Sequence, residues 1–464
     1  MKYYYSIKEI IINKNKFLNK NLLIKGWIKF FRNNFFLEIN DGSTIKNLQV
    51  VIKKEIFKKK LKKINIGNPI KIFGKLKLHK NNKDVEMLPL NIKLYGKIDK
   101  KFFDKSILQN KFHSLSKLRK QIYLRFRTKI FSSIMKIRHN LYIQIHNFFK
   151  KKHFYYINTP IISNNNAEGA GETFRVTTID FENKKNNLNC KNDFFKCKVN
   201  LTVSGQLEAE SAMLGLGKVY TFGPVFRAEN SNTNKHLSEF LMVEPEIMFY
   251  KLKDIIKLSV KLIKYLIKKI LKYCIEELKY LEYYHKKNNN KNGKNLIKLL
   301  KNIQKKKFIK ISYNKVIKLL KSINNKIIFW GDDIGSKHEK ILFEKIFKKE
   351  LLPLIIYNYP KNIKPFYMKI NKDNITTKSI DILFPYIGEI IGGSEREHSY
   401  KKLLKIIKKK NMNIKKIKWY LNIRKLGTIY HSGFGLGFDR LLQFITGMKN
   451  IRDVVPFPRL PGKI

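Results

Sequence analysis

Two stretches of this chain place charged and aromatic residues at spacings that suit a nucleotide ligand. In VYTFGPVFRAENSNTNKHLSEFLMVEPEIMF (219–249), Arg227 and Glu229 stand two residues apart. On a strand both side chains would project from one face. After a polar loop, Phe240, Met242 and Glu244 repeat that spacing on what reads as a returning strand. A guanidinium, a carboxylate and an aromatic ring would then share one sheet surface. Arginine grips phosphate as a planar fork, and a phenyl ring stacks on a base. The same spacing fits a hairpin with an ordinary salt bridge beside a core Phe, and spacing alone does not separate the two. In HSGFGLGFDRLLQFITG (431–447), Gly433, Gly435 and Gly437 alternate with Ser432, Phe434 and Leu436. Alternate glycines clear one face of a strand so that a ligand can lie against the backbone. Asp439 and Arg440 then open a helix with Leu441, Leu442, Phe444 and Ile445 as its apolar positions. A cation in the first turn gains nothing from the helix dipole. It makes sense if arginine and helix end both face an anion such as a triphosphate. A glycine-rich bend alone leaves the arginine unexplained.

The elements that would carry these stretches follow from periodicity. Residues 22–31, 35–40, 47–52, 69–77 and 91–98 each carry a strand-like pattern, with DGST (41–44) as a turn and EIFKKKLKKI (55–64) as a short amphipathic helix. Three strands, a helix and two strands is the order of an OB-fold barrel. Residues 101–125 are polar and read as a hinge. From Thr128 to Phe149 the positions Ile130, Ile134, Ile137, Leu141, Ile145 and Phe148 recur at helical spacing, and the run ends near Pro160. Residues 251–285 read as helix within a helical insertion over about 251–330, and KKNNNKNGKN (286–295) reads as loop. The expectation is an α+β protein: a five-stranded OB-fold barrel over 1–100, the hinge, and a large domain over 126–464 on an antiparallel sheet flanked by helices.

The outer face of the barrel has its own candidates. Phe35, Leu37 and Ile39 would form the inward face of one strand, so Phe36 would point outward with Glu38. Gln49 would likewise face away from Leu48 and Val50. Outward aromatics on an OB-fold are base-stacking platforms, although a singly exposed Phe is common.

At 464 residues and 43% hydrophobic content the chain can bury a sizeable core, and its formal net charge is +62. Lys and Arg neutralise phosphates, which fits a nucleic-acid partner. Lys, Ile and Asn all have A/T-rich codons, however, so most of the charge reads as compositional drift. Cys190, Cys197 and Cys274 form neither a metal spacing nor a disulfide framework. No stretch is apolar enough to span a bilayer. The opening MKYYYSIKEI lacks a signal or transit pattern, so the expected location is the cytoplasm.

Taken together the two stretches resemble class II aminoacyl-tRNA synthetases. FRAE (226–229) with EF (239–240) looks like the family's motif 2, GLGFDR (435–440) like motif 3, and the long helix before Pro160 like motif 1, which serves the dimer in that family. An OB-fold in front is typical of the aspartyl, asparaginyl and lysyl subgroup. AEGAGETFRV (167–176), LTVSGQLEAE (201–210), FGPVFRAENSNT (222–233) and GEIIGGSERE (388–397) look like the asparaginyl branch. Aspartyl enzymes carry a lysine where this chain has Ala209. Lys235 and Tyr123 depart from the family pattern, which has Arg and His there.

The resemblance implies ATP-dependent ligation of L-asparagine to tRNA(Asn) through an asparaginyl-adenylate, with Mg2+, by a homodimer. It places Arg227 on the α-phosphate, Arg440 on the γ-phosphate, Phe240 on adenine and Glu229 at the adenine amino edge. Lys235, His236 and Gly437 complete the ATP contacts. Asp381 and Glu389 are the expected metal ligands, since hard cations want carboxylate oxygens; Asp381 also admits a purely structural reading. Glu168, Ser204, Gln206 and Glu244 would meet the amino acid, and Phe36 and Gln49 the anticodon. Asparagine differs from aspartate in its amide, which needs one acceptor and one donor. Glu210 and Arg396 are the expected pair; the alternative is that the two form a structural ion pair. An aspartyl enzyme, an RNA-binding protein without catalysis, and a ligase making asparagine itself are the rival readings.

Overall fold

Alternating apolar and polar residues in the first hundred positions become five strands, β1 (Asn21–Arg32), β2 (Phe36–Asn40), β3 (Leu48–Val51), β4 (Pro69–Leu78) and β5 (Val85–Leu94). They close into a barrel in the order β1-β2-β3-β5-β4, as the sequence predicts. The computed structural model describes residues 4–33, 35–53, 64–79, 84–109, 111–165, 172–180, 190–231, 233–323 and 328–462, and the chain divides into units 1–136 and 137–464. The helix expected over 55–64 lies outside the described residues, apart from Ile64.

The fifth strand begins at Val85 rather than 91, because Pro89 reads as a breaker. It sits instead opposite Gly74 at a register shift, where a strand tolerates proline. A Cβ on Gly74 would stand 2.3 Å from the Leu88 carbonyl oxygen, so only glycine fits that approach. Two short helices, Ile7–Ile12 and Lys14–Phe17, precede the barrel. The first is announced by SIKE: Ser6 and Glu9 form a capping box. Its Ile7 and Ile10, with Phe17, are buried in the same cluster as the barrel residues Ile24, Leu37 and Val50. The expected hinge contains two further short helices, Lys100–Lys105 and Leu115–Lys120.

The second unit is built on strands β6 (Tyr155–Tyr156), β10 (Lys218–Phe226), β11 (Glu239–Met248), β12 (Ile309–Ser312), β13 (Leu354–Tyr357), β14 (Ser379–Phe384), β15 (Gly388–Glu395) and β16 (His431–Gly437). They form one sheet in the order β12-β13-β14-β15-β16-β11-β10-β6. Every pair from β13 to β10 is antiparallel, and the two rim pairs are parallel. A small sheet of β7 (Ile162–Ser163), β8 (Arg175–Val176) and β9 (Val199–Leu201) accompanies it.

The expected long helix spans Lys129–Lys150. Within the second unit it packs on the sheet and on a later helix: Phe149 stacks on Tyr220 with centroids 4.3 Å apart, Tyr142 on Phe222 at 4.7 Å, and Phe148 lies 5.3 Å from Tyr265. Helix Leu252–Tyr273 buries Ile255, Leu258, Leu262, Leu266 and Ile270 and packs on strands β14 to β16 and on helix Leu296–Lys305. Among the described residues the region expected as a helical insertion holds three helices, then β12, which returns to the rim of the main sheet, and a fourth helix, Tyr313–Lys321. FIKIS is too short a run to read as a strand from sequence. Among the described residues no helix is long and apolar enough to cross a membrane.

Candidate active site

The central strands β11, β15 and β16 form the floor of a cavity of about 660 Å³. Phe240, Met242, Glu244 and Glu246 of β11 all line it, as side chains two apart on one face must. At about 3.3 Å per residue the row is roughly 20 Å long, which gives the site two ends. The glycines of β16 divide the work. Gly435 and Gly437 line the cavity, whereas a Cβ on Gly433 would collide with the Glu246 carboxylate at 2.1 Å. That glycine makes room for a side chain, not directly for a ligand.

At the Glu246 end, Ser204, Gln206, Glu244 and Arg396 line the cavity. Glu244 is fixed by the Ser204 hydroxyl, by the Gly205 N–H at 3.0 Å and by the Thr221 hydroxyl at 3.2 Å. Arg396 donates to Glu246 through both Nε, at 3.1 Å, and Nη2, and through Nη1 to Ser394 at 2.8 Å. Burial pushes the Glu246 carboxyl up to about 7, against the opposing pull of Arg396.

Glu210 departs from its expected place. Like Glu246 it is fully buried, but unlike Glu246 it is not among the residues lining the cavity. It accepts from Tyr420 Oη at 2.7 Å, Arg424 Nη2 at 2.7 Å and Gln206 Nε2 at 3.0 Å, and it pairs with His431 Nε2 at 2.9 Å. Arg396 Nε is 3.9 Å away. Burial alone would raise its pKa; the His431 bond and the Arg424 charge outweigh burial and hold it well below the usual carboxylate range. The acceptor in contact with Arg396 on the cavity wall is Glu246. Sequence reasoning stopped one step short of it, because the spacing 240, 242, 244 continues to 246.

At the Phe240 end, Arg227 Cζ lies 5.4 Å from the Phe240 ring centroid. β10 ends at Phe226, so Arg227 and Glu229 stand on the loop after the strand and not on the strand itself. Pairing with the returning strand still reaches the first of them: Arg227 N–H donates to the Ser238 carbonyl at 2.9 Å. Both residues line the cavity, with Lys235 and His236 from the same loop. Burial and the Arg440 charge lower the His236 pKa, which favours a neutral ring. Arg440 stands in the first turn of helix Phe438–Thr446, as predicted, and donates to the Glu389 carbonyl at 3.0 Å.

Asp381 on β14 and Glu389 on β15 meet across Gly392. A Cβ there would stand 3.0 Å from Glu389 Oε1 and 3.5 Å from Asp381 Oδ1. Burial, with the charge of Glu389, pushes Asp381 up to about 6 against the pull of Lys364, whose Nζ is 2.6 Å away. Two facing carboxylates, one resisting ionisation, fit a hard cation. Mg2+ typically uses one or two protein carboxylates and fills its shell from phosphates and water. The lysine, absent from the sequence expectation, gives Asp381 a structural partner as well.

Glu168 lies outside the described residues. Nearby, the carbonyl of Glu172 accepts from the Ala228 N–H at 3.0 Å, which ties the end of that glycine-rich run to the Arg227 loop.

On the barrel, Leu37 and Ile39 are buried and Phe36 and Glu38 half-buried, so β2 alternates as predicted. Phe35 precedes the strand and is half-buried, with its ring 4.0 Å from that of Phe36. Gln49 pairs across with Glu38 and Glu86 on the same outer face, donating to Glu86 at 3.3 Å.

The family model described as "tRNA synthetases class II (D, K and N)" matches residues 114–461, and "OB-fold nucleic acid binding domain" matches 22–95. The chain is 46% identical to an asparagine–tRNA ligase of Borrelia garinii subsp. bavariensis, over 99% of each chain. It is also 46% identical to that of Azobacteroides pseudotrichonymphae, over 96% of this chain and 95% of the relative. The structure of asparaginyl-tRNA synthetase from Pyrococcus horikoshii complexed with asparaginyl-adenylate matches with a TM-score of 0.85 at 29% identity, covering all of both chains. A family match across most of the second unit, and relatives of this similarity over nearly the whole length, lead to one conclusion: the chain belongs to the class II tRNA synthetases of the D, K and N group, in its asparagine–tRNA ligase family.

Proposed function

We propose that this chain activates L-asparagine with ATP and transfers it to tRNA(Asn). The observation that carries this reading is the Arg396–Glu246 pair on the wall of a cavity whose other end holds Arg227, Phe240 and Arg440. An asparagine amide needs one donor and one acceptor, and the pair supplies both. An aspartate carboxylate would meet Glu246 as a second negative charge, which selects against it. This reading moves the selecting carboxylate from Glu210 to Glu246.

In the first step an oxygen of the asparagine carboxylate attacks the α-phosphorus in line. The bond to the β-phosphate oxygen breaks and diphosphate leaves. Positioning and charge stabilisation carry most of such a step. Arg227 holds the α-phosphate and Arg440 the γ-phosphate, while Phe240 stacks the adenine and Glu229 faces its amino edge. Lys235 and His236 lie beside the phosphates, and Gly437 lets the nucleotide approach the strand. Ser204, Gln206, Glu244 and, from outside the described residues, Glu168 receive the ammonium. Asp381 and Glu389 would hold Mg2+, which supplies positive charge to the triphosphate. In the second step a ribose hydroxyl at the tRNA end takes the asparaginyl group and AMP leaves.

The outward Phe36 and Gln49 support anticodon reading by the barrel. A homodimer in the cytoplasm completes the proposal. Ile143 on the long helix, Tyr155 and Tyr156 on the rim strand β6, and Ile161 and Ile162 beyond it are exposed apolar residues that support self-association. Acylation of a tRNA(Asn) transcript with labelled asparagine by the purified chain tests the function. ATP-dependent product is expected, and its absence with active tRNA overturns the proposal.

A further inference from the structure

Behind the phosphate end of the cavity, in contact with Lys235 and Glu389 that line it, stands a buried carboxylate that the reaction as described does not use. Glu339, on the short helix Ser336–Ile341, is 8% exposed. Its Oε1 accepts the backbone N–H of Glu389 at 2.9 Å, and its Oε2 accepts Lys235 Nζ at 3.0 Å. It also presses on the turn before Glu389. Gly388 has φ +85°, and a Cβ there would lie 2.1 Å from Glu339 Oε2. The left-handed turn and the missing side chain are both needed for the carboxylate to reach the Glu389 amide.

The contacts close a ring. Arg440 Nη1 donates to the carbonyl of Glu389 at 3.0 Å, and Arg440 Nε to the carbonyl of Lys235 at 3.4 Å. The Glu389 residue is therefore held at its N–H by Glu339 and at its C=O by Arg440. Lys235 is held at its ammonium by Glu339 and at its carbonyl by Arg440. Four residues from four separate elements lock the backbone that carries the expected metal ligand to the loop that carries Arg227.

We infer that Glu339 is a positioning residue for the metal–triphosphate end of the site. It aims Glu389 at the cation and holds Lys235 beside the phosphates, without itself touching substrate. Its carboxylate has two separable tasks. An amide oxygen in its place still accepts the Glu389 N–H, while its loss of charge releases Lys235. The inference rests on the proposed function, so the wild-type protein is the control for both.

The experiment compares the wild type, Glu339→Gln and Glu339→Ala by calorimetric binding of a non-hydrolysable ATP analogue, with and without Mg2+. It also measures ATP and asparagine KM in pyrophosphate exchange. Losing a group that orients a metal ligand typically costs about 10–100-fold in metal affinity or activity. Glu339→Ala is expected to lose most of the Mg2+ enhancement of analogue binding and to raise the ATP KM, with the asparagine KM unchanged. Glu339→Gln is expected to keep most of the Mg2+ enhancement. Should Glu339→Ala fail to fold, Glu339→Gln still decides: by releasing Lys235 while still accepting the Glu389 N–H, it should raise the ATP KM, leave the asparagine KM unchanged and keep the Mg2+ enhancement. An unchanged Mg2+ dependence in Glu339→Ala, equal rises in both KM values, or an unchanged ATP KM in Glu339→Gln would overturn the inference. A wild type inactive with asparagine would instead sink the proposed function.

Discussion

Two buried carboxylates sit within reach of one arginine, and their surroundings give them different work. Glu246 lies on the cavity wall; Glu210 is sealed behind it by Tyr420, Arg424 and His431. Glu246→Gln should therefore cost asparagine activation and narrow the preference for asparagine over aspartate, read by exchange with each amino acid. Glu210→Gln should leave that preference nearly intact, and Glu210→Ala should chiefly destabilise. Removing one partner of a buried charge cluster costs roughly 3–5 kcal/mol, visible as a lower denaturation midpoint. pH gives an independent check. A carboxyl pushed up to about 7 is ionised at pH 8 and protonated at pH 6. A protonated Glu246 offers a donor to aspartate's carboxylate, so the asparagine preference should fall as pH drops through 7; a flat ratio between pH 6 and 8 would contradict its selecting role. At the other end, Arg227→Ala and Arg440→Ala should each lose most adenylate formation with the fold intact by circular dichroism. A charge-assisted contact to the transition state is worth about 2.7–4 kcal/mol when it acts like an oxyanion-hole donor. Near-normal exchange in either variant would remove that residue from the ATP site.

Elements were legible where periodicity ran long and obscure where a local rule was broken. The helix at Lys129–Lys150 and the strand-to-helix passage at 431–446 follow directly from apolar spacing. β5 was misplaced because Pro89 occupies a bulge, and β12 was missed because four residues give no period. The residues that escaped notice come from elements distant in sequence from the groups they hold: Lys364 lines the cavity beside Asp381, while Glu339, Tyr420, Arg424 and His431 stand behind its wall on Glu389 and Glu210. The barrel surface shows what alternation can give. Leu37 and Ile39 turn inward, so Phe36 is left on the outer face with Gln49. Phe36→Ala should weaken tRNA charging while sparing tRNA-independent adenylate formation. Base stacking is worth roughly 1–3 kcal/mol. Unchanged charging would reduce Phe36 to an ordinary surface residue.

For the molecule as a whole, the large excess of lysine obscures where tRNA would lie, since drift and binding leave the same residues. Self-association is the sharper question at this scale. The long helix already stacks Phe149 and Tyr142 on Tyr220 and Phe222 of its own sheet, so a dimer interface through this helix would use what remains exposed around Ile143 and the β6 rim. Light scattering at assay concentration should give twice the 55.2 kDa chain mass; an active monomer would rule out the dimer. The central claim is that one cavity joins asparagine to AMP and rejects aspartate. Sites built on specific hydrogen bonds can discriminate by about 10⁴–10⁵. The most direct measurement is ATP–pyrophosphate exchange by the wild-type protein, run in parallel with asparagine, aspartate, lysine and the remaining amino acids. Exchange with asparagine, exceeding that with aspartate by orders of magnitude in kcat/KM, is the predicted result. Exchange with aspartate equal to or greater than that with asparagine would contradict the account.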